Sequence, residues 1–117
     1  MFHEGTAMTE FLHDREQAFE AKFAHDQDLR FRVAARRDKL FAARAAQTLH
    51  LSEPATQALV AAVLHIPDLH NHTDMLVTRI AEIFAAQGHV VERGALADAL
   101  GECARQAKHQ LMDAPDA

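Results

Sequence analysis

Apolar residues in this chain recur at steps of three and four, the spacing of one side of an α-helix, and strand signals are nearly absent. The stretch from Asp14 to Leu40 organises the rest: its polar positions are densely charged with alternating sign, and no glycine or proline interrupts it. Leu12, Glu16, Phe19 and Phe23 follow steps of four, three and four, which places them within about 40° of one another on a helix. Past Phe23 the same stripe meets Asp26, Gln27 and Arg30, none of them apolar, while a new stripe begins at Leu29 and continues through Val33 and Leu40. The apolar face therefore turns by roughly 100° across AHDQD, at about 100° per residue. The two halves cannot bury their apolar faces on one partner. The pattern predicts a mobile arm over residues 1–25 and a helical body over residues 26–112.

Thr9 is the expected cap of the arm helix, with Glu10 and Asp14 suiting the positive helix end, and the helix is expected to run to about Ala24. Met1 to Met8 read as a flexible extension. Like charges at Glu16 and Glu20 weaken the arm, and a helix of about 15 residues is marginal alone in water. It is expected to be disordered or frayed until a partner receives Leu12, Phe19 and Phe23.

The next helix is expected from Leu29 to about Leu49, either capped by Asp26 or Asp28 or continuous with the arm through a kink; both alternatives stand. Besides Leu29, Val33 and Leu40 it carries a second apolar side of Phe31, Ala34, Ala35, Phe41, Ala42, Ala45 and Leu49, which implies packing between neighbours. Ser52, Glu53 and Pro54 form a helix start: a hydroxyl cap, an acid for the dipole and a proline where no N–H is needed. That helix ends before Pro67 and buries Ala55, Leu59, Ala62, Val63 and Ile66. After the loop IPDLHNHT, Thr73 and Asp74 signal a further start, followed by Met75, Leu76, Ile80, Ile83 and Phe84 and a stop at Gly88. The last helix runs from about Glu92 to Met112 on the face Leu96, Leu100, Cys103, Ala107 and Leu111. Residues 113–117 are expected to be a disordered tail. Short connections favour antiparallel neighbours, so the fold class is all-α, a four-helix bundle-like body with an N-terminal arm.

Composition narrows the functions available. At 117 residues the chain is one domain. Its net charge of -5 is unevenly spread: residues 1–50 hold eight Lys/Arg and eight Asp/Glu, the remainder four and nine. An acidic C-terminal body argues against nucleic acid as its ligand. A single Cys103 and the lack of a signal-like N-terminus suit a reducing cytoplasm. The longest apolar run, Ala58 to Leu64, has seven residues, against about 20 for a bilayer span, so no direct membrane insertion is expected.

Nine histidines invite a metal reading, and His65, His70 and His72 lie close to Asp68 and Asp74. Their spacing on a loop matches no closed ligand motif, so no metal or cofactor is expected, and the histidines read as surface groups that titrate near neutral pH. Arg30, Arg32, Arg36, Arg37, Lys39 and Arg44 border the second helix, with Asp38 the only acid among them. They read as a solvated rim that pairs with acids of the C-terminal body, with Arg36 and Arg37 as nucleotide-binding candidates. Cys103 is a small core residue on a buried face, Ser52 a cap, and no glycine-rich phosphate loop exists. No catalytic residue is assigned, and the chain is expected not to be an enzyme.

Asp14-Arg15-Glu16, Phe19-Glu20, Lys22-Phe23-Ala24-His25-Asp26, Leu29-Arg30-Phe31 and Ala35-Arg36-Arg37 stand in the order and spacing of the N-terminal signature of the ATPase inhibitor zeta subunits of alphaproteobacterial F-type ATP synthases. The chain resembles that family, and its closing AKHQLM resembles the family's ending. HIPDLHNHT replaces the usual acidic loop, Leu12-His13 stands where Phe-Asp is common, and Met1 to Met8 lengthen the tip. The resemblance implies a non-enzymatic inhibitor of ATP hydrolysis whose N-terminal segment, about residues 9–25, enters a catalytic interface of the synthase head. Phe19 and Phe23 would be apolar anchors beside Leu12, with Asp14, Arg15, Glu16, Glu20 and Lys22 as further contacts. Such a protein would be monomeric when free and peripheral on the membrane-bound enzyme, in the cytoplasm. The alternative is a small helical nucleotide-binding or adaptor module without inhibitory activity.

Overall fold

The computed structural model describes residues 2–113, with side chains for residues 12–112. It has four helices in chain order: α1 Phe2–Thr48, α2 Glu53–Leu64, α3 His72–Ala86 and α4 Arg93–Asp113. No strand occurs among the described residues. The chain divides into two compact units, Met1–Arg32 and Val33–Ala117.

Of the two alternatives left by the sequence, the continuous one is found: α1 passes through Asp26 and Asp28 without a break. No residue between Glu10 and Thr48 lacks an N–H or carries the backbone freedom that ends a helix, so the turn of the apolar stripe changes the face without stopping the backbone. The expected start at Thr9 is corrected, since α1 already begins at Phe2. Glu4, Ala7 and Met8 are good helix formers, and Gly5 inside a helix costs only about 1 kcal/mol. Met1 lies outside the described residues, as does the expected tail apart from Asp113, which ends α4.

Within the first unit every described side chain from Leu12 to Arg32 is exposed or half-buried. The second unit has one core, to which all four helices contribute. From α1 come Phe41, Ala42, Ala45 and Ala46, from α2 Leu59 and Val63, from α3 Leu76, Val77, Ile80 and Phe84, and from α4 Leu96, Leu100, Cys103 and Ala107. The alanines of α1 leave little side chain between its backbone and its neighbours, and Phe41 fills the remaining space with only 2% of its surface exposed. Two assignments of buried positions are corrected. Phe31 is 63% exposed and belongs to no core: it shares the phase of Asp38 and Ala42, seven and eleven residues further on, but it lies in the first unit, outside the part of α1 that enters the core. Met75 is exposed while Val77 is buried. Val77 stands three residues before Ile80 and one after Leu76, so the buried side of α3 lies slightly further round than the sequence grouping placed it.

The helix ends follow local chemistry. Ser52 caps α2, its Oγ accepting from the Ala55 N–H at 3.2 Å, and Pro54 occupies the first turn. At the end of α3, Gly88 has φ of 81°. Its N–H donates to the Ala85 carbonyl, and the His89 N–H to the Phe84 carbonyl, both at 2.9 Å, closing a left-handed cap. The end of α1 repeats this geometry without a glycine. His50 takes φ of 55°, its N–H donates to Gln47 at 3.1 Å, and the Leu51 N–H donates to Ala46 at 2.9 Å. At the start of α3 the cap expected at Thr73 is corrected. The helix begins at His72, the cap position is Asn71, and the Asn71 side chain makes no capping hydrogen bond. The reason lies in the contacts of His72.

Candidate functional site

Every side chain that the sequence singles out for partner binding lies in the first unit and on one uninterrupted helix. Leu12, Asp14, Arg15, Glu16, Phe19, Glu20, Lys22 and Phe23 are all exposed. The helical backbone puts Leu12, Glu16, Phe19 and Phe23 along one side. Phe19 is 71% exposed, Phe23 58% and Leu12 54%. A phenylalanine forfeits about 1.5–3 kcal/mol by remaining in water instead of a core. Two of them in register on one helix face form an apolar strip bordered by charges, suited to a groove in a partner. Local stitching within this segment includes a 3.1 Å hydrogen bond between the Gln17 amide and the His13 ring.

Three arginines of the basic rim, Arg36, Arg37 and Arg44, lie in the second unit and hold acceptors within it. Arg44 Nη1 donates to Glu102 Oε2 on α4 at 2.7 Å. Glu102, hydrogen-bonded and opposite in charge, raises the Arg44 pKa, and Arg44 lowers that of Glu102 by the same two effects. Arg36 Nη1 donates to Gln110 Oε1 at 2.9 Å, and Arg37 Nε to Asp38 Oδ1 at 2.9 Å. Both nucleotide candidates thus hold protein acceptors. Beside Arg44 an apolar groove is lined by Phe41, Ala45, Phe84, Val91 and Leu96. Cys103 is buried as expected, and burial pushes its thiol pKa up, against the pull of nearby Arg44.

The sequence reading missed the centre of polar contacts in the body. Asp38 is 4% exposed, the one buried charged residue among those described. Its Oδ1 accepts from Arg37, and its Oδ2 lies 2.6 Å from His72 Nε2. His72 Nδ1 lies 2.9 Å from the Pro67 carbonyl oxygen. His72 is therefore corrected from a surface histidine to a half-buried one held at both ring nitrogens. The signal was present, because Asp38 shares the phase of Phe41, Ala42 and Ala45, and a lone acid on a buried stripe needs partners. Nothing local pointed to a residue 34 positions away as one of them.

The sequence profile of the ATPase inhibitor subunit zeta family matches residues 8–110. The chain belongs to the ATPase inhibitor zeta family. The match covers the exposed strip of the first unit and the four-helix body together, and with it comes a regulatory role as an inhibitor of ATP synthase, not a catalytic one. Comparison with curated proteins and with solved structures returns no match. Among the described residues no helix is long and apolar enough to cross a membrane. Nor do three or more His, Cys, Asp or Glu side chains among them stand where they could hold a metal ion.

Proposed function

We propose that this zeta-family protein inhibits ATP hydrolysis by the F-type ATP synthase through its first unit, with residues 9–25 as the segment that enters a catalytic interface of the head. The observation that supports this reading is the exposure of Leu12, Phe19 and Phe23 along one side of α1. Those side chains lie where an apolar groove in a partner can take them up, and Asp14, Arg15, Glu16, Glu20 and Lys22 flank them for polar contacts at the rim. Phe19 and Phe23 are the anchors, since burial of an aromatic side chain is the largest single contribution available on this face. The body, from residue 26 on, serves as the folded base from which the segment acts, and residues 1–25 act as its mobile part. Free protein is monomeric and cytoplasmic, and joins the membrane-bound enzyme peripherally.

The test is ATP hydrolysis by the purified cognate enzyme with the whole protein added, compared with a form lacking residues 1–22 and with Phe19→Ala combined with Phe23→Ala. Inhibition is expected from the whole protein and is expected to fall strongly in both altered forms. Equal inhibition by the truncated form would place the inhibitory surface elsewhere on the chain.

A further inference from the structure

We propose that His72 is a proton-operated fastener that ties the α2–α3 loop and the first turn of α3 to α1. Pro67 offers its carbonyl oxygen to His72 Nδ1 at 2.9 Å, and a carbonyl only accepts. Asp38 offers a carboxylate oxygen to Nε2 at 2.6 Å, and a carboxylate also only accepts. A neutral imidazole carries one N–H, so one of its nitrogens would face an oxygen lone pair with a lone pair of its own. The imidazolium carries an N–H on each nitrogen and satisfies both oxygens, at a charge-assisted distance on the Asp38 side.

The surroundings make this contact matter for the loop. The Pro67 carbonyl also accepts from the Leu69 N–H at 3.0 Å, and the His72 N–H donates to the Leu69 carbonyl at 2.9 Å. Residues 67–72 are thus folded about the His72 ring. The helix that begins there has no side-chain cap of its own, so its start leans on the ring's anchorage to α1. Arg37 holds the other oxygen of Asp38 at 2.9 Å. When His72 loses its proton, its single N–H can serve only one of the two oxygens, so the bridge from Asp38 through the ring to Pro67 is broken at one end, while Asp38 keeps Arg37 as a cationic partner on α1. A cation at the first position of a helix opposes the dipole, and the buried carboxylate facing it offsets that cost.

The charged groups around the ring are few. From α1 they are Asp38 and Arg37. In the loop Asp68 and His70 are exposed, and Asp74 in the first turn of α3 is exposed and faces Arg93 of α4 at 3.3 Å. Burial lowers the pKa of His72, the Pro67 carbonyl and the Asp38 carboxylate raise it, the Arg37 charge lowers it, and the net shift is upward from 6.5. A raised folded-state pKa gives stability that is fully present below the unfolded value of about 6.5 and is lost as pH rises through the folded value. The fastener is closed in mildly acidic solution and opens as pH rises through the folded-state value, which lies above the ordinary one.

The experiment uses the full chain. Ring-nitrogen NMR across about pH 5.5 to 9 is expected to show His72 titrating above about 6.5, the ordinary histidine value. Below that transition both ring N–H groups should be protected. His72→Gln is expected to lower Tm by about 5 °C near pH 6, with the difference from the unaltered protein shrinking towards zero near pH 9. Taking the difference cancels the other histidines. Asp38→Asn should bring the His72 transition down to the ordinary value or below. The proposal is overturned if His72 in the unaltered protein titrates at or below about 6.5, or if the Tm difference is the same at both pH values. The titration is read on the unaltered protein, so it decides the matter even where a variant does not fold.

Discussion

Arg44 on α1 and Glu102 on α4 join end to end, guanidinium Nη1 to carboxylate Oε2 at 2.7 Å, across 58 residues of sequence. The pair realises, for one arginine of the basic rim, the pairing with C-terminal acids that the charge distribution suggests. Both side chains are 52% exposed, so water and salt compete with the bond.

Glu102→Gln should accordingly change the urea midpoint little at neutral pH, and any change should vanish in high salt. The direction with pH is set by the lowered Glu102 pKa. Whatever the pair contributes is present above the ordinary carboxylate value and is lost as pH falls through the folded-state value. Urea titrations of the two proteins at neutral and acidic pH, at low and high salt, read this out.

Leu76 and Ile80 have no exposed surface, and both lie in the one core that the four helices share. Leu76→Ala or Ile80→Ala should each cost about 2–5 kcal/mol, the transfer of the lost methyl and methylene groups plus the cavity left behind. The urea midpoint should fall with the slope unchanged.

Two helix ends make predictions of opposite sign. His50 and Gly88 both hold left-handed backbone, with φ of 55° and 81°. A side chain at that conformation costs about 1 kcal/mol, which glycine avoids. His50→Gly should therefore stabilise the protein by about 0.5–1 kcal/mol, less the entropy that glycine adds to the unfolded chain. Gly88→Ala should destabilise it by a similar amount through backbone strain alone, since nothing lies within 4 Å of where the new Cβ would stand. Thermal unfolding of both variants checks the pair.

Phe19→Ala combined with Phe23→Ala should leave the unfolding midpoint of the body within about 0.5 kcal/mol of the unaltered protein, as expected for exposed positions. Those rings are 71% and 58% exposed and belong to no core cluster. A large loss of stability, seen by circular dichroism on heating, would show that the strip packs on the body in solution.

Much of this architecture is legible in the amino-acid sequence because it is set by neighbours along the chain. Ser52 with Pro54, Gly88, and the spacing of Leu96, Leu100, Cys103 and Ala107 each act within one or two turns of backbone, and each is found in the expected role. The start of α3 was misplaced because its anchor is not local. Thr73 resembles a cap, but the hold that α1 has on His72 puts the cap position two residues earlier, at Asn71. His50 was missed as a cap for a related reason: a residue other than glycine takes left-handed backbone where the packing of Leu49 and Leu51 against the core compensates for the strain.

By itself, then, the sequence determined the helical class, the apolar faces and the family, since periodicity, capping and the order of charged and aromatic residues from Asp14 to Arg37 are written along the chain. It also marked Leu12, Phe19 and Phe23 as a strip distinct from the one that follows. Tertiary structure decided that α1 is one unbroken helix, that Phe31 stays in solvent while Val77 is buried, and that Asp38 meets His72. The reason is physical. A periodic pattern tells which residues share a side of a helix, but burial and the partner of a buried charge depend on which other helix lies opposite, and that is settled only when the chain has packed.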